Sequence, residues 1–226
     1  MLIEVPNVLS RDQVVHFRKA LDKTEWVDGK VTAGFQSAQV KNNMQLSENN
    51  LVAKDLGQQI LDAVENSPLF VAAALPAKIF PPLFNRYQGG QAFGNHVDNS
   101  VRRAASTRKY VRTDLSVTLF LSEPEEYEGG ELIIDDTYGE HSIKLPAGHL
   151  ILYPSTSLHR LRPVTSGARV SSFFWLQSMI RRDAHRSLLL NLDIAIQKLH
   201  QEVPGSTTAV DLTGIYQNLL REWVEV

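Results

Sequence analysis

The chain of 226 residues contains no cysteine. That absence excludes disulfides, thiolate nucleophiles, iron–sulfur clusters and Cys-based zinc sites together. Any protein-bound metal must be held by His, Asp, Glu or neutral oxygen groups. An excess of positive charge is missing too: 23 Lys and Arg stand against 25 Asp and Glu, a formal net charge of -2. The basic footprint of a nucleic-acid-binding domain is therefore not there. Long apolar runs are also lacking. Stretches such as Leu69 to Leu75 fall far short of the roughly 20 residues needed to span a bilayer. Met1-Leu2-Ile3-Glu4-Val5-Pro6 has no basic region followed by an apolar core. No signal peptide is expected, and the location expected is the cytoplasm.

What is present divides into three textures. Ser10-Arg11-Asp12-Gln13 has the spacing of a capping box. Val14, Phe17, Ala20 and Leu21 follow it as one apolar helical stripe. A second stripe, Val52, Leu56, Ile60, Leu61 and Val64, predicts a helix over 48–65, ended by Asn66-Ser67-Pro68. From about Ala77 to Met179, short β-branched and aromatic segments alternate with Gly-bearing turns. Strands are predicted over 79–87, 115–121, 131–135, 141–145, 149–153, 159–164 and 170–177. Many short strands at near-regular spacing suggest a barrel or a two-sheet sandwich. Helical periodicity returns with Leu188, Leu189, Leu192, Ile196 and Leu199. Pro204-Gly205-Ser206 breaks it, and Leu212, Ile215, Leu219, Leu220 and Trp223 resume it. Three regions are expected: 1–77, an N-terminal helical support region; 78–178, a β-rich catalytic domain; and 179–226, a C-terminal helical region. The end helices read as packing elements, with a homodimer left open.

The chemistry concentrates at His96-Val97-Asp98. In extended backbone, side chains at i and i+2 leave the same face, so an imidazole and a carboxylate can reach one ion. A distant histidine, His159, completes a two-His, one-carboxylate set that leaves half of an octahedral Fe(II) open. An H-x-D alone arises often by chance, so its neighbours matter. Arg169 lies ten residues beyond His159, across a turn predicted at 163–167, and the hairpin so formed would bring both to one barrel mouth. Arg169 and Ser171 share a strand face, and a guanidinium fork with a hydroxyl suits the far carboxylate of a dicarboxylate.

The segment Asn85-Arg86-Tyr87-Gln88-Gly89-Gly90-Gln91-Ala92-Phe93-Gly94-Asn95-His96-Val97-Asp98 resembles the prolyl-4-hydroxylase-like branch of the Fe(II)/2-oxoglutarate dioxygenases. So do Glu128-Gly129-Gly130-Glu131-Leu132, Pro146-Ala147-Gly148, and the run from His159 through Pro163-Val164 and Gly167 to Arg169. The whole chain is similar to the PKHD-type hydroxylases, a group associated with iron uptake. The resemblance implies a mainly β fold, a double-stranded β-helix or jelly roll with N- and C-terminal helices. It places Fe(II) on His96, Asp98 and His159, and 2-oxoglutarate on Arg169. It further implies L-ascorbate as an accessory reductant, and hydroxylation of an unidentified substrate with release of succinate and CO2. Collagen-type prolyl hydroxylases carry Lys where this chain has Arg169, which weakens any transfer of collagen-like substrates. Related halogenases lack the carboxylate that Asp98 supplies, so Asp98 favours hydroxylation.

Bland readings stand beside these. Tyr87 is either a hydrogen-bond donor to 2-oxoglutarate or an aromatic core residue with its tip in water, and Ser171 is equally open. His141 and His149 border a strand pair without an H-x-D-like partner and read as structural. His16, His185 and His200 read as surface residues. The segment 99–113 holds Arg102, Arg103, Arg108, Lys109 and Arg112 with no acid. It is either a flap that closes over substrate and recognises an anionic group, or a solvated charged loop. Glu123 to Glu128 reads as an acidic turn. A non-catalytic iron or 2-oxoglutarate sensing module on the same fold is the alternative to an enzyme. A cupin-type enzyme without 2-oxoglutarate is a third reading, disfavoured by Arg169.

Overall fold

A computed structural model describes residues 1–32, 39–103 and 109–225. The N-terminal part forms β1 (Ile3–Val5), α1 (Arg11–Leu21), β2 (Val27–Asp28), β3 (Lys41–Asn42), β4 (Met44–Gln45), α2 (Leu51–Glu65) and α3 (Pro68–Ala74). The middle supplies β5 (Pro76–Ile79), β6 (Leu83–Gln88), β7 (Ala92–His96), β8 (Val101–Arg103), β9 (Tyr110–Arg112), β10 (Leu115–Phe120) and β11 (Tyr127–Gly129). It continues with β12 (Leu132–Asp136), β13 (Gly139–Ile143), β14 (Leu150–Pro154), β15 (His159–Leu161) and β16 (Val164–Ser178). Helices α4 (Asp183–Glu202) and α5 (Thr207–Trp223) follow.

Local chemistry sets the helix ends. The Ser10 hydroxyl accepts from the Gln13 amide while the Gln13 side chain accepts from the Ser10 amide, the reciprocal box read from sequence. Asn50 caps Ala53, so α2 begins at Leu51 and not at Glu48. Ser67 and Pro68 start α3 rather than only ending α2. This short helix lay hidden in an apolar run with no clear period.

Apart from the separate β8–β9 pair, the strands build two facing sheets. The larger runs β1-β14-β10-β16-β6-β4-β2, with β5 and β11 also pairing along β16. The smaller runs β13-β12-β15-β7-β3. This is the jelly-roll arrangement, in which each sheet shows one face to the other. The N-terminal region holds the expected helices but also contributes β1 to β4, one of them to the smaller sheet. One apolar layer, including Phe17, Leu56, Ile60, Phe70, Val117 and Phe174, seals the larger sheet under α1, α2 and α3. A second lies between the sheets, around Phe120, Leu132, Ile134, Ile151 and Tyr153. Helices α4 and α5 close around Leu75, Ile180 and Leu189. No helix among the described residues is long and apolar enough to cross a membrane.

The spine is β16. The turn expected at 163–167 is part of this strand, and residues 164–167 pair with β11. The chain therefore makes no hairpin between His159 and Arg169. β15 pairs with β12 and β7 in the small sheet, whereas β16 pairs with β10 and β6 in the large one. The crossing falls at Pro163, which has no N–H for a ladder; its carbonyl accepts from Gly130 N at 3.2 Å. His159 and Arg169 thus approach from opposite walls.

Gly167 sits in β16 at φ +68, and a Cβ there would lie 2.0 Å from the Glu126 carbonyl oxygen. Gly167→Ala is expected to lower unfolding free energy by about 2 kcal/mol or more, adding a clash to the left-handed strain. Gly205→Ala, at φ +79 with no atom near its Cβ, is expected to cost about 1 kcal/mol. Urea unfolding of the two variants checks the order.

Candidate active site

His96 closes β7 and pairs directly with His159 of β15. Between Phe93 and His96 the register shifts: their partners Leu161 and His159 are two positions apart, but Phe93 and His96 are three positions apart. This bulge places Phe93 and His96 on one side although they are three apart, and their rings stack with centroids 3.6 Å apart. Asp98 lies past the end of the strand, and it and His96 both line the cleft while Val97 is 48% exposed.

One ligand atom from each of His96, Asp98 and His159 lies within 4.8 Å of the others. His159 Nε2 is 3.8 Å from Asp98 Oδ2. Each imidazole Nδ1 lies against a carbonyl, Gly94 O at 2.8 Å for His96 and Ser157 O at 3.0 Å for His159. A neutral ring so placed carries its proton on Nδ1, which leaves Nε2 as a lone pair for a ligand bond. Burial, then the neighbouring His159, pushes the His96 imidazole down to about 4. Ser116 Oγ donates to Asp98 Oδ2 at 2.6 Å and meets Ser155 Oγ at 2.7 Å. The carboxylate is thereby aimed before any ion arrives. Two imidazole donors and an anchored carboxylate fit Fe(II).

Across the cleft stands Arg169, 1% exposed. Among the described residues no carboxylate lies within ion-pair distance of it, and its Nε has no hydrogen-bond partner. Its Nη1 donates to Ser171 Oγ at 2.6 Å, and Ser171 donates its one hydroxyl proton to Asn85 Oδ1 at 2.5 Å. The guanidinium lies 5.0 Å from the Phe120 ring centroid and 5.9 Å from that of Tyr87. Burial lowers its pKa, offset in part by Tyr127, Tyr87 and Tyr153. A sealed cation without a counter-charge is costly unless an anion arrives to meet it. The cleft provides the space, between walls that include His96, Asp98, His159 and Arg169.

Tyr87 is 2% exposed and lines this cleft, so its ring is buried and its tip is not in bulk water. Burial raises its pKa to about 12. Burial, then the charge of Asp98, also holds Tyr153 protonated well above the ordinary tyrosine value. Ser116, Asn85, Tyr153 and Lys41 belong to the site but escaped the sequence reading. Each lies on a strand far from the His-x-Asp motif, and only period-2 alternation pointed their way. His149 pairs with Glu4 at 2.9 Å and His141 with Asp136 at 3.4 Å, away from the triad. Within the segment 99–113, β8 and β9 pair antiparallel, while residues 104–108, Arg108 among them, lie outside the described residues. Thr113 Oγ1 donates to Asn99 O at 2.5 Å at its base, and Arg112 pairs with Asp114 at 2.7 Å.

Comparisons with known proteins agree with this geometry. Residues 82–177 match the 2OG-Fe(II) oxygenase superfamily, and residues 183–225 match the PKHD-type hydroxylase C-terminal domain. Among solved structures, a Trichoplax adhaerens prolyl hydroxylase in complex with a hypoxia inducible factor peptide superposes with a TM-score of 0.59 at 13% identity. It covers 83% of this chain and 86% of that one. A Pseudomonas putida prolyl-4-hydroxylase gives 0.51 at 19% identity, covering 78% and 92%. Fold and family thus define an Fe(II)- and 2-oxoglutarate-dependent oxygenase. A PKHD-type hydroxylase of Bordetella pertussis is 58% identical over 226 residues, and one of Xanthomonas campestris pv. campestris is 55% identical over 228, each covering 100% of both chains. This chain belongs to the PKHD-type hydroxylases.

Ser116→Ala is expected to weaken divalent-metal binding about tenfold by freeing the Asp98 carboxylate, as loss of a supporting hydrogen bond does elsewhere; calorimetric Mn(II) titration measures it. The low pKa of His96 also sets a pH dependence. In the metal-free protein the unfolded chain binds the proton more readily between about 6.5 and about 4. Stability is therefore expected to fall as pH drops through that window, and less so in His96→Asn, as followed by urea unfolding at pH 7 and pH 5.

Proposed function

We propose that this dioxygenase holds Fe(II) through His96, Asp98 and His159, holds 2-oxoglutarate through Arg169, and hydroxylates a C–H bond of a substrate in the same cleft. The net reaction consumes one 2-oxoglutarate, one O2 and one R–H, and yields succinate, CO2 and R–OH. The observation that carries the reading is Arg169: a sealed guanidinium without an acidic partner, opening on the cleft that the triad also faces. When bound, the ferrous ion supplies the dioxygen chemistry that couples decarboxylation to oxidation of the substrate.

The rest falls to the protein's own groups. The Arg169 fork takes the distal carboxylate of 2-oxoglutarate, which supplies the missing counter-charge. Ser171 and Asn85 act through Arg169 by fixing its rotamer. Tyr87, neutral at working pH, presents a hydroxyl as a further donor to the co-substrate. His96 is neutral at pH 7 and needs to lose no proton to bind metal. Phe93, Leu132 and Leu161 line the cleft and keep water from the reacting atoms. L-ascorbate as accessory reductant and a place in iron uptake follow from the family resemblance alone, and a division of the chain near residues 78 and 179 from the change of texture along the sequence.

Anaerobic titration tests the assignment. Fe(II) followed by 2-oxoglutarate is expected to produce a visible metal-to-ligand charge-transfer band in the native protein and none in Asp98→Ala. Arg169→Ala is expected to weaken 2-oxoglutarate binding by about 100-fold, since hydrogen bonds between charged partners are worth roughly 1.5–3 kcal/mol each. A native-like titration of Arg169→Ala would remove that residue from the co-substrate site. Iron-dependent release of succinate in air separates an enzyme from a sensing module, which would bind 2-oxoglutarate without turning it over.

A further inference from the structure

One face of β16 presents Arg169, Ser171, Phe173 and Trp175 to the cleft in turn. Arg169 and Trp175 are six residues apart, roughly 20 Å along a strand. At the Trp175 end, β8 turns Arg102 into the same cleft. The Arg102 guanidinium lies 4.1 Å from the Trp175 ring centroid and 5.1 Å from that of Phe80. No carboxylate among the described residues lies within ion-pair distance of it, and its Nε has no hydrogen-bond partner. Lys41 approaches from β3. It is 5% exposed, with Nζ 5.5 Å from the Phe93 centroid and 5.9 Å from the Phe173 centroid. Burial, then the charge of Arg102, lowers Lys41 to about 8, so the two cations sense each other.

Among the charges of the lining, Arg102 has no acid at ion-pair distance and faces the remaining space, with Lys41 beside it. The lining's cationic side chains are Lys41, Arg102, Arg160 and Arg169, and its one carboxylate is Asp98. Arg160 is matched by Glu140 at 2.7 Å and Asp135 at 3.6 Å. In the proposed function, Asp98 is a metal ligand and Arg169 meets 2-oxoglutarate. Asp28 and Glu48 act on Lys41 and Arg102 from outside the lining. Cation–π packing contributes only about 0.5–2 kcal/mol, and an apolar side chain would cover Trp175 without the cost of desolvating a charge. We propose that Arg102, stacked on Trp175 and assisted by Lys41, is a second anion site that receives a carboxylate or phosphate of the substrate. The substrate is then an anionic molecule, held at its charged end so that a C–H bond points toward the triad. The Arg102 fork supplies geometry and Lys41 a point charge. This rests on the proposed function only for the occupant of Arg169.

The test uses protein saturated with Zn(II) and 2-oxoglutarate, titrated with citrate and, separately, with inorganic phosphate. Calorimetry and tryptophan fluorescence are the readouts. Saturable binding is expected for at least one probe, weakening as salt rises. Arg102→Gln is expected to weaken it at least tenfold, Lys41→Gln less, and Arg102→Lys, which keeps charge but loses the fork, to restore part of the loss. Each variant is checked for folding by thermal melting. The Kd for 2-oxoglutarate, measured separately, is expected to move less than threefold in Arg102→Gln. Equal probe binding by native protein and Arg102→Gln, or no saturable binding of either probe, would overturn the second anion site while leaving Arg169 assigned. Failure of native protein to bind 2-oxoglutarate would instead sink the underlying reading.

Discussion

A guanidinium shut into the interior with no acid to meet it is the constraint on which the rest of this protein depends. The chain places Arg169 on its longest strand, beneath Tyr87 and Phe120, and fixes it through Ser171 and Asn85. Everything near it follows from keeping that charge available and dry. The tyrosines around it are held neutral by burial, so none cancels it as a phenolate. The helices that seal the outer face of the large sheet keep its strands in register beneath the charge. The opposite wall carries the single carboxylate of the cleft, which a serine already holds.

The two walls divide the chemistry. The small sheet and the segment just past β7 bring the three donors together, while the large sheet brings Arg169 and the residues that fix it. Neither sheet alone makes a site. A jelly roll suits such a division because facing sheets let sequence-distant strands contribute from opposite sides, at a spacing set by side-chain length. The same division lets functional polar groups be buried at tolerable cost. Most have a partner on the adjacent strand, and those that lack one face the space a ligand occupies.

The sequence revealed the parts of this arrangement that depend on short spacing. Arg169 and Ser171 share a side because extended backbone repeats every two residues, and the short His96-x-Asp98 spacing pointed to one ion although Asp98 lies just past the strand. The box at Ser10 and Gln13 and the stripes of the terminal helices were equally legible, being local. What escaped was non-local or irregular. The Pro163–Gly167 stretch looks like a hairpin turn by composition, yet it crosses between sheets because β11 offers it a partner. Strand β7 went unread because Gly94-Asn95 forms a bulge that breaks the alternation. Ser116, Tyr153 and Lys41 are ordinary strand residues until pairing brings them to the cleft. The link between Arg102 and Trp175 joins a hairpin to a strand more than 70 residues later, and no periodicity encodes it.

The bulge before His96 amounts to a spare residue. Phe93 and His96 stand three positions apart opposite partners that stand two apart, so losing one residue between them would leave a regular ladder with both side chains still on the cleft side. Between His96 and Asp98 there is no such slack, since one residue fewer makes the two donors immediate neighbours. The donor set thus tolerates a shortening of the chain on one side of His96 and not on the other.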